Sequence, residues 1–354
     1  MPGVLLSVSD ALALLAAGPD DVGVLAGRPV LAVEVDDAEP SDLEGLTTLT
    51  AALPCVTVGV ARRPAALGAP PPPFDVLLSD AFEDVAPPPW RSCPDGVGAA
   101  LAELDDAVGR NPQAATVLVQ VLRLGRGRSL EEGLTVESLA YATLQAGAEH
   151  RAWLDGRALR PQPRPRPRPE PVPGKDPVEV VRDDGTLVVT LRRPEVRNAV
   201  DTGMRDGLVA AFDLAARDAT IACVELRGDG PDFCSGGDLA EFGTTPDPAI
   251  AHLVRASRSP ARALAGCAER TTAYVHGACI GAGVELAALA NWVVARPDAA
   301  FGLPELAMGL IPGAGGTATI PRRIGPELTA WMALTGTPVD AATALRWGLV
   351  DAIV

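Results

Sequence analysis

The chain contains little of several features on which particular classes of protein depend. Of its 354 residues, 4% are aromatic, three are histidine, and 30 Lys and Arg are outnumbered by 45 Asp and Glu, for a net charge of −15. Because nucleic-acid binding rests on cations that neutralise phosphates, this balance argues against a nucleic-acid partner. The histidines, His150, His252 and His276, are scattered along the sequence, so we expect no metal site.

Cysteine is present, but never in the CxxC spacing that metal sites and redox motifs use. Of the six cysteines, Cys223 and Cys279 stand in apolar runs. We therefore predict buried, reduced thiols at these two positions, rather than disulfides or metal ligands.

Long hydrophobic runs are also missing, since no segment has about 18 consecutive apolar residues, the length that a membrane-spanning helix needs. The apolar stretch at residues 1–21 lacks a basic beginning and is interrupted by Ser and Asp. It predicts a short helix rather than a signal peptide, and we expect a cytoplasmic protein. The hydrophobic fraction of 47%, carried mainly by small aliphatic side chains, suits closely packed α/β layers.

Proline and arginine alternate in one segment, RPQPRPRPRPEPVPGK at residues 160–175. Proline at this density excludes a helix or a central strand and favours an extended polyproline II spacer. A basic ligand for a partner domain is the alternative. The segment divides the chain into an N-terminal unit (1–159), a linker (160–175) and a C-terminal unit (176–354).

Strand and helix patterns alternate in the C-terminal unit and predict an α/β fold. A hairpin is predicted at the turn Asp183–Gly185, and apolar residues at helical spacing predict a helix over Thr202–Arg217. Further predicted elements are strands at Ala222–Leu226, Thr272–Val275 and Val293–Ala295, and helices at Gly283–Ala290, Glu327–Thr335 and Ala341–Trp347.

The N-terminal unit has a weaker pattern, with strands predicted first and helices later. The predicted strands are Val30–Val35, Cys55–Val60 and Phe74–Ser79, and the predicted helices are Asp42–Ala52, Val97–Val108, Ala114–Gly125 and Leu130–Leu154.

Four Gly-rich stretches of the C-terminal unit carry candidate functional groups. They are Phe233–Leu239 (FCSGGDL), Val275–Ala287 (VHGACIGAGVELA), Phe301–Glu305 (FGLPE) and Gly309–Thr317 (GLIPGAGGT). Glycine lets a ligand approach backbone N–H groups closely, and the first N–H groups of a helix lack intrahelical partners. Two such N–H groups on separate loops are what an enolate oxygen needs.

In order and spacing, these stretches resemble the crotonase superfamily, specifically its enoyl-CoA hydratase/isomerase family. The resemblance covers residues 176–354 and includes the opening RPEVRNA (193–199) and the closing TGTPVDAATALRWGLVDAIV (335–354). It implies an α/β, crotonase-like ββα spiral core with a helical segment for oligomerisation. It also implies a thioester carbonyl held by the backbone N–H groups of Gly237 and Ala282, and an acid/base pair, Glu285 and Glu305.

By the same resemblance, further residues are assigned to substrate or CoA binding: Arg197, Ala199, Ser235, Asp238, Leu239, Gly281, Pro304 and Gly313. Structural alternatives exist for several positions. Glu285 would be favoured near a helix N-terminus by the helix dipole alone, and Glu305 after a proline would suit a surface turn. Asp238 suits a helix cap, and Arg197 suits either a CoA phosphate or solvent.

The N-terminal unit resembles parts of the same family. Residues 110–156 resemble its C-terminal helical tail, through Asn111-Pro112, Ser129–Leu134 and Glu149-His150-Arg151, whereas residues 28–84 weakly resemble a reduced core. We therefore interpret residues 1–159 as a degenerate, non-catalytic crotonase-like domain. Its helices would replace the tail that the family carries after the position of Val354, within the chain or across subunits. A truncated chain is the alternative.

These features predict an acyl-CoA hydratase or dehydratase that adds or removes water across the α,β double bond of an enoyl-CoA. Chemically, one glutamate handles the water and the other a proton at Cα; the resemblance assigns Glu285 to the water and Glu305 to Cα. The alternatives are a double-bond isomerase that uses Glu305 alone, and a non-catalytic acyl-CoA-binding or assembly subunit. The resemblance implies no cofactor beyond the CoA thioester substrate, and a homo-oligomer, either trimer or hexamer.

Overall fold

A computed structural model describes residues 5–18, 21–36, 38–50, 52–63, 72–81, 87–159, 176–245 and 247–354. The predicted linker, residues 160–175, lies outside these ranges. Within them, no helix combines the length and apolar character needed to cross a membrane.

The N-terminal unit is built on a parallel five-stranded sheet in the order β1-β2-β3-β4-β5. Its strands are β1 (Leu5–Ser7), β2 (Val30–Glu34), β3 (Val56–Ala61), β4 (Val76–Ser79) and β5 (Arg91–Ser92), and its first helices are α1 (Val8–Ala17) and α2 (Pro40–Thr50). The predicted strands and helices of this region are therefore present, with ends displaced by one or two residues.

The two faces of this sheet pack in different cores, because successive side chains along a strand point to opposite sides. Val76 and Leu78 of β4 belong to a large core that continues into the C-terminal unit. Leu77 between them belongs to a second, smaller core, which includes Leu15 of α1 and Leu46 of α2. The sheet thus separates α1 and α2 from the rest of the molecule.

Four helices follow the sheet: α3 (Val97–Arg110), α4 (Pro112–Gly125), α5 (Leu130–Gln145) and α6 (Ala148–Leu159). Helix α5 begins with a capping box, in which Ser129 accepts the Glu132 N–H and the Glu132 carboxylate accepts the Ser129 N–H. The predicted single helix over Leu130–Leu154 is wrong, because the chain breaks between α5 and α6. At the break the Gly147 N–H donates to the Leu144 carbonyl at 2.8 Å, three residues back rather than four.

The C-terminal unit contains a six-stranded sheet, in the order β14-β11-β9-β8-β7-β6, and a three-stranded sheet, in the order β10-β12-β13. The strands are β6 (Val178–Asp183), β7 (Thr186–Leu191), β8 (Cys223–Gly228), β9 (Thr271–Val275), β10 (Ala278–Ile280), β11 (Trp292–Ala295), β12 (Ala300–Gly302), β13 (Val339–Asp340) and β14 (Ala352–Ile353). The helices are α7 (Thr202–Arg217), α8 (Pro248–Ser257), α9 (Pro260–Ala265), α10 (Ala282–Ala287), α11 (Gly316–Thr319), α12 (Pro321–Thr335) and α13 (Ala341–Trp347). The α/β class is confirmed.

In this unit, local sequence features explain one correct prediction, the bounds of α7, and one wrong prediction, the burial of Cys223. Helix α7 has the predicted bounds, because the Asp201 carboxylate accepts the Met204 N–H at 2.9 Å and caps its start. The predicted burial of Cys223 is wrong. Alternation along β8 places Val224 inside and exposes the Cys223 side chain, whereas Cys279 is buried as predicted.

The two units share one continuous core. Helix α12 packs against α3, α4 and β4, while α11 packs against α4 and α5, and α8 against α5. An ion pair between Arg126, which directly follows α4, and Glu327 of α12, 2.8 Å long, joins the units at the edge of this contact. The predicted contact of residues 110–156 with the C-terminal unit is therefore present within the chain.

Candidate active site

A cavity of about 260 Å³ lies where the Gly-rich loops of the C-terminal unit meet helix α5 of the N-terminal unit. Five residues assigned from the sequence line its wall: Gly237, Ala282, Glu285, Glu305 and Gly313. The structure thus brings together four segments that are separated by up to about eighty residues in the chain.

The loop that carries Gly237 pairs in a parallel β-bridge with Val200, two residues before the start of α7. The Val200 N–H donates to the Gly236 carbonyl, and the Asp238 N–H donates to the Val200 carbonyl, both at 2.8 Å. This pairing skips the Gly237 N–H, which has no acceptor within the described ranges. One backbone donor at the cavity wall is therefore left for a ligand.

Residues at the start of α10 provide the second donor. Gly281 has a φ of 51°, in the left-handed region that favours glycine, and a Cβ added to it would lie 2.6 Å from Glu305 Oε1. Ala282 is the first residue of α10, so its N–H has no intrahelical partner. Its φ is negative, and the backbone there accepts a methyl group without strain.

Glu285 is 2% exposed and lies in the first turn of α10. Its Oε2 accepts the N–H groups of Ala314 and Gly316, each at 2.7 Å, and no donor in the described ranges contacts Oε1. Burial raises the pKa of the Glu285 carboxyl to about 7, against the lowering effect of the two N–H donors. A carboxyl that titrates near neutral pH is suited to proton transfer.

Glu305 begins a 3₁₀ turn, Glu305–Met308, directly after Pro304. Its side chain is 8% exposed, and its Oε2 is buried without a hydrogen-bond partner in the described part of the chain. Burial, and then the nearby Glu285 carboxyl, raise the pKa of Glu305 well above its usual range. A buried polar atom without a partner costs stability, and such atoms cluster at functional sites.

The remaining assigned residues lie around the cavity rather than on its wall, except Asp238, which lines a small adjoining cavity. Arg197 pairs with Asp232 at 2.6 Å while its side chain remains 62% exposed, so its contact with a CoA phosphate stays a prediction. Asp238 caps the turn after it by accepting the Ala240 N–H at 3.0 Å, the structural alternative considered above. Ala199, Ser235, Leu239, Gly281 and Pro304 are absent from the wall of both cavities, so their contact with CoA stays a prediction.

Sequence reasoning missed the cavity residues that come from other elements. Tyr141 of α5 and Arg255 of α8 line both cavities, and the Arg255 guanidinium lies 4.5 Å from the centre of the Tyr141 ring. Arg255 also donates to Gln145 Oε1 at 3.0 Å and to Ser138 Oγ at 3.2 Å. The wall of the cavity is thus built from both units.

Helices of the N-terminal unit also bind the turn that carries Glu305. The Asn111 side-chain amide donates to the Leu306 carbonyl, and His150 Nδ1 donates to the Met308 carbonyl, each at 2.9 Å. Because a carbonyl oxygen only accepts, the Nδ1 atom of His150 carries the proton. Asn111 and His150 belong to the tail-like motifs found in the sequence, and these bonds give both residues a structural role.

Residues 182–354 match the family model described as enoyl-CoA hydratase/isomerase. The 2,3-dehydroadipyl-CoA hydratase of Escherichia coli is 36% identical over 173 residues, which are 49% of this chain and 67% of that protein. A Mycobacterium tuberculosis protein named "Probable enoyl-CoA hydratase EchA14" is 37% identical over 175 residues, 49% of this chain and 68% of that protein.

Among solved structures, an enoyl-CoA hydratase from Thermoplasma volcanium has 30% sequence identity and a TM-score of 0.46, with coverage of 51% of this chain and 72% of that chain. The alignments with curated relatives span about two thirds of the length of those proteins.

The fold and the loops define a crotonase-superfamily protein, as predicted. The chain belongs to the enoyl-CoA hydratase/isomerase family. Its relatives confirm the prediction of a hydratase-type enzyme. The family match begins at residue 182, so the interpretation of residues 1–159 as a degenerate crotonase-like domain is not confirmed.

Proposed function

We propose that the chain catalyses the reversible addition of water to the α,β double bond of an enoyl-CoA thioester. The observation that carries this proposal is the presence, on the wall of one cavity, of two buried carboxyls and of two backbone N–H groups that have no acceptor among the described residues. The enoyl-CoA is the proposed ligand, and this chemistry needs no further cofactor. The hydratases among its relatives support the same reaction type.

In the proposed mechanism, the thioester oxygen lies between the N–H groups of Gly237 and Ala282. Glu285 accepts a proton from a water molecule as the water oxygen bonds to Cβ, and the double-bond electrons move to the thioester as an enolate. The two N–H groups stabilise this oxygen, and the loss of one such donor typically lowers a rate by about 10²–10³-fold. Glu305 then donates a proton to Cα, which completes the 3-hydroxyacyl thioester, and proton exchange with solvent returns Glu285 to the carboxylate and Glu305 to the acid.

The free Oε1 of Glu285 and the unpartnered Oε2 of Glu305 suit these roles. Because the two N–H donors occupy only Oε2 of Glu285, its other oxygen is available to a water molecule. Burial and the Glu285 carboxyl raise the pKa of Glu305 well above its usual range, and a protonated carboxyl is what delivery of a proton to Cα requires.

A spectrophotometric assay that follows loss of the enoyl-thioester absorbance tests the proposal. The panel of CoA esters should include straight-chain substrates and 2,3-dehydroadipyl-CoA, the compound in the name of one relative. Hydration of at least one ester supports the proposal. Binding of CoA esters in isothermal titration, without hydration of any of them, would favour the non-catalytic alternative instead.

A double-bond isomerase is the second candidate, because the matching family model covers both activities. An isomerase that uses Glu305 alone would keep its activity in Glu285→Gln and lose it in Glu305→Gln. Loss of hydration in both variants supports the hydratase.

A further inference from the structure

The loop at residues 314–317 is bound by carboxylates from both units of the chain. Going along the loop, the Ala314 and Gly316 N–H groups donate to Glu285 Oε2, each at 2.7 Å. The Gly315 and Thr317 N–H groups donate to Glu137 of α5, at 2.7 and 2.8 Å. Four consecutive backbone donors therefore alternate between Glu285 and a carboxylate that the N-terminal unit provides.

Glu137 is 2% exposed and lies on the buried face of α5. The Thr317 hydroxyl also donates to its Oε2, at 2.7 Å, so three donors satisfy this one carboxylate. A buried carboxylate without such donors would be very costly, and three short bonds hold it in a single position. Burial, and then the Glu285 carboxyl, nevertheless raise the pKa of Glu137 to about 8.

The loop has little room to move between the two side chains. A Cβ added to Gly316 would lie 2.7 Å from Glu285 Cγ, and one added to Gly315 would lie 3.1 Å from Leu134 of α5. Because the loop contacts both carboxylates through adjacent amides, a displacement of Glu137 shifts the amides that orient Glu285. A shift of helix α5 would therefore also shift the Glu285 side chain, which is proposed to activate water.

We propose that Glu137 is a positioning residue for the hydration reaction, one that fixes the Glu285 carboxylate through the loop 314–317. This inference rests on the function proposed above. It makes α5 a functional part of the site rather than a cover for it.

The test compares Glu137→Gln with the wild type in kcat, KM, pH profile and thermal unfolding. Glutamine keeps the size of the side chain but turns one acceptor oxygen into a donor, which faces the N–H of either Gly315 or Thr317. We expect kcat to fall by about 10²-fold, the loss that a displacement of about 1 Å can cause, with a much smaller change in KM. Thr143→Ala is the matched control, because Thr143 lies on the exposed side of the same helix and donates within it.

The pH profile separates positioning from a purely structural role. The negative charge of Glu137 raises the pKa of Glu305, so its removal lowers that pKa. The alkaline limb of the pH–activity profile should therefore move to lower pH. The variant retains the other ionisable side chains around Glu137, which are Glu285 and Glu305 from the loops, Tyr141 from α5, and His252 and Arg255 from α8. A lower unfolding temperature with kcat and both limbs unchanged would overturn the inference.

Two further measurements keep the test decisive. If Glu137→Gln does not fold, Thr317→Val removes one donor to the same carboxylate and is expected to lower kcat several-fold; an unchanged kcat would overturn the inference. If the wild type hydrates no ester, the proposed function fails. In that case, infrared titration of the buried carboxyls still tests the coupling between Glu137 and Glu305. An unchanged titration midpoint of Glu305 in Glu137→Gln would overturn the inference about Glu137.

Discussion

The sheet and the helices of the N-terminal unit are related to the cavity in different ways. Helix α5 places Tyr141 in the cavity wall and Glu137 against its loop, whereas none of the described residues of β1–β5 lines the cavity. The sheet instead supports α3 and α4 on one face and packs α1 and α2 on the other. Within one unit, a helix therefore contributes to the wall of the cavity, whereas the sheet contributes only to the packing around it.

The largest loss of activity is expected from substitution of the two glutamates in the cavity wall. Glu285→Gln and Glu305→Gln keep the shape of the cavity wall but remove proton transfer, so we expect each to lower kcat by about 10²–10⁴-fold. Glu269→Gln, an exposed carboxylate near β9, is the control. Steady-state hydration kinetics measure the effect. Near wild-type rates in both variants would contradict the proposed roles of Glu285 and Glu305.

Tyr141→Ala tests the contribution of α5 directly. Loss of the ring that packs on Gly313 and Arg255 enlarges the cavity, so preference should shift from shorter to longer acyl chains. The ratio of kcat/KM for a longer-chain ester to kcat/KM for a shorter-chain ester is expected to rise by about tenfold or more. A difference of one methylene group in an apolar pocket can have an effect of this size. Tyr141→Phe retains the ring and should keep the wild-type ratio, and Leu139→Ala on the exposed face of α5 should do the same. Equal ratios in all four proteins would separate α5 from substrate selection.

The pH dependence of activity gives a third, smaller effect. Glu285, with a pKa of about 7 because of burial, must be ionised to accept a proton, so activity falls about tenfold per pH unit below that value. Glu305 must be protonated to donate, and its raised pKa makes activity fall again at higher pH. Measurements of kcat/KM should therefore give a bell-shaped curve. A single limb would contradict the assignment of the two roles.

The smallest effect on activity is expected from the sheet. Leu46→Ala opens a cavity in the core between α2 and the sheet, where Leu46 is fully buried, and should cost about 2–5 kcal/mol of unfolding free energy. The kcat of the folded fraction and both pH limbs should stay at their wild-type values. Chemical denaturation gives the first quantity and active-site-normalised kinetics the second; a changed pH limb would show that the sheet also controls the site.

The sequence predicted elements well where local pattern and packing agree. Helix α7 has a capping aspartate and a regular apolar stripe, and its bounds were predicted without error. The loops of the cavity were found by family resemblance. A single Gly-rich turn is common, and only the order and spacing of all four stretches indicate the family. Cys223 was placed on the wrong face because a short apolar run does not fix the register of a strand.

Tyr141 and Glu137 were missed because nothing local shows which distant loop a helix face meets. One indication was nevertheless present in the sequence. The buried face of α5 follows a helical stripe through Leu134, Glu137, Tyr141 and Leu144, and a carboxylate on such a stripe is seldom buried without a partner. Such a residue can be flagged from the sequence, but its backbone partners can be identified only from the structure.

The bonds between α5 and the loop 314–317 join parts of one polypeptide. Their formation is therefore a unimolecular event, governed by the effective concentration that the connecting chain imposes rather than by the amount of protein in solution. Dilution leaves this contact intact, and every molecule brings one copy of each partner to it.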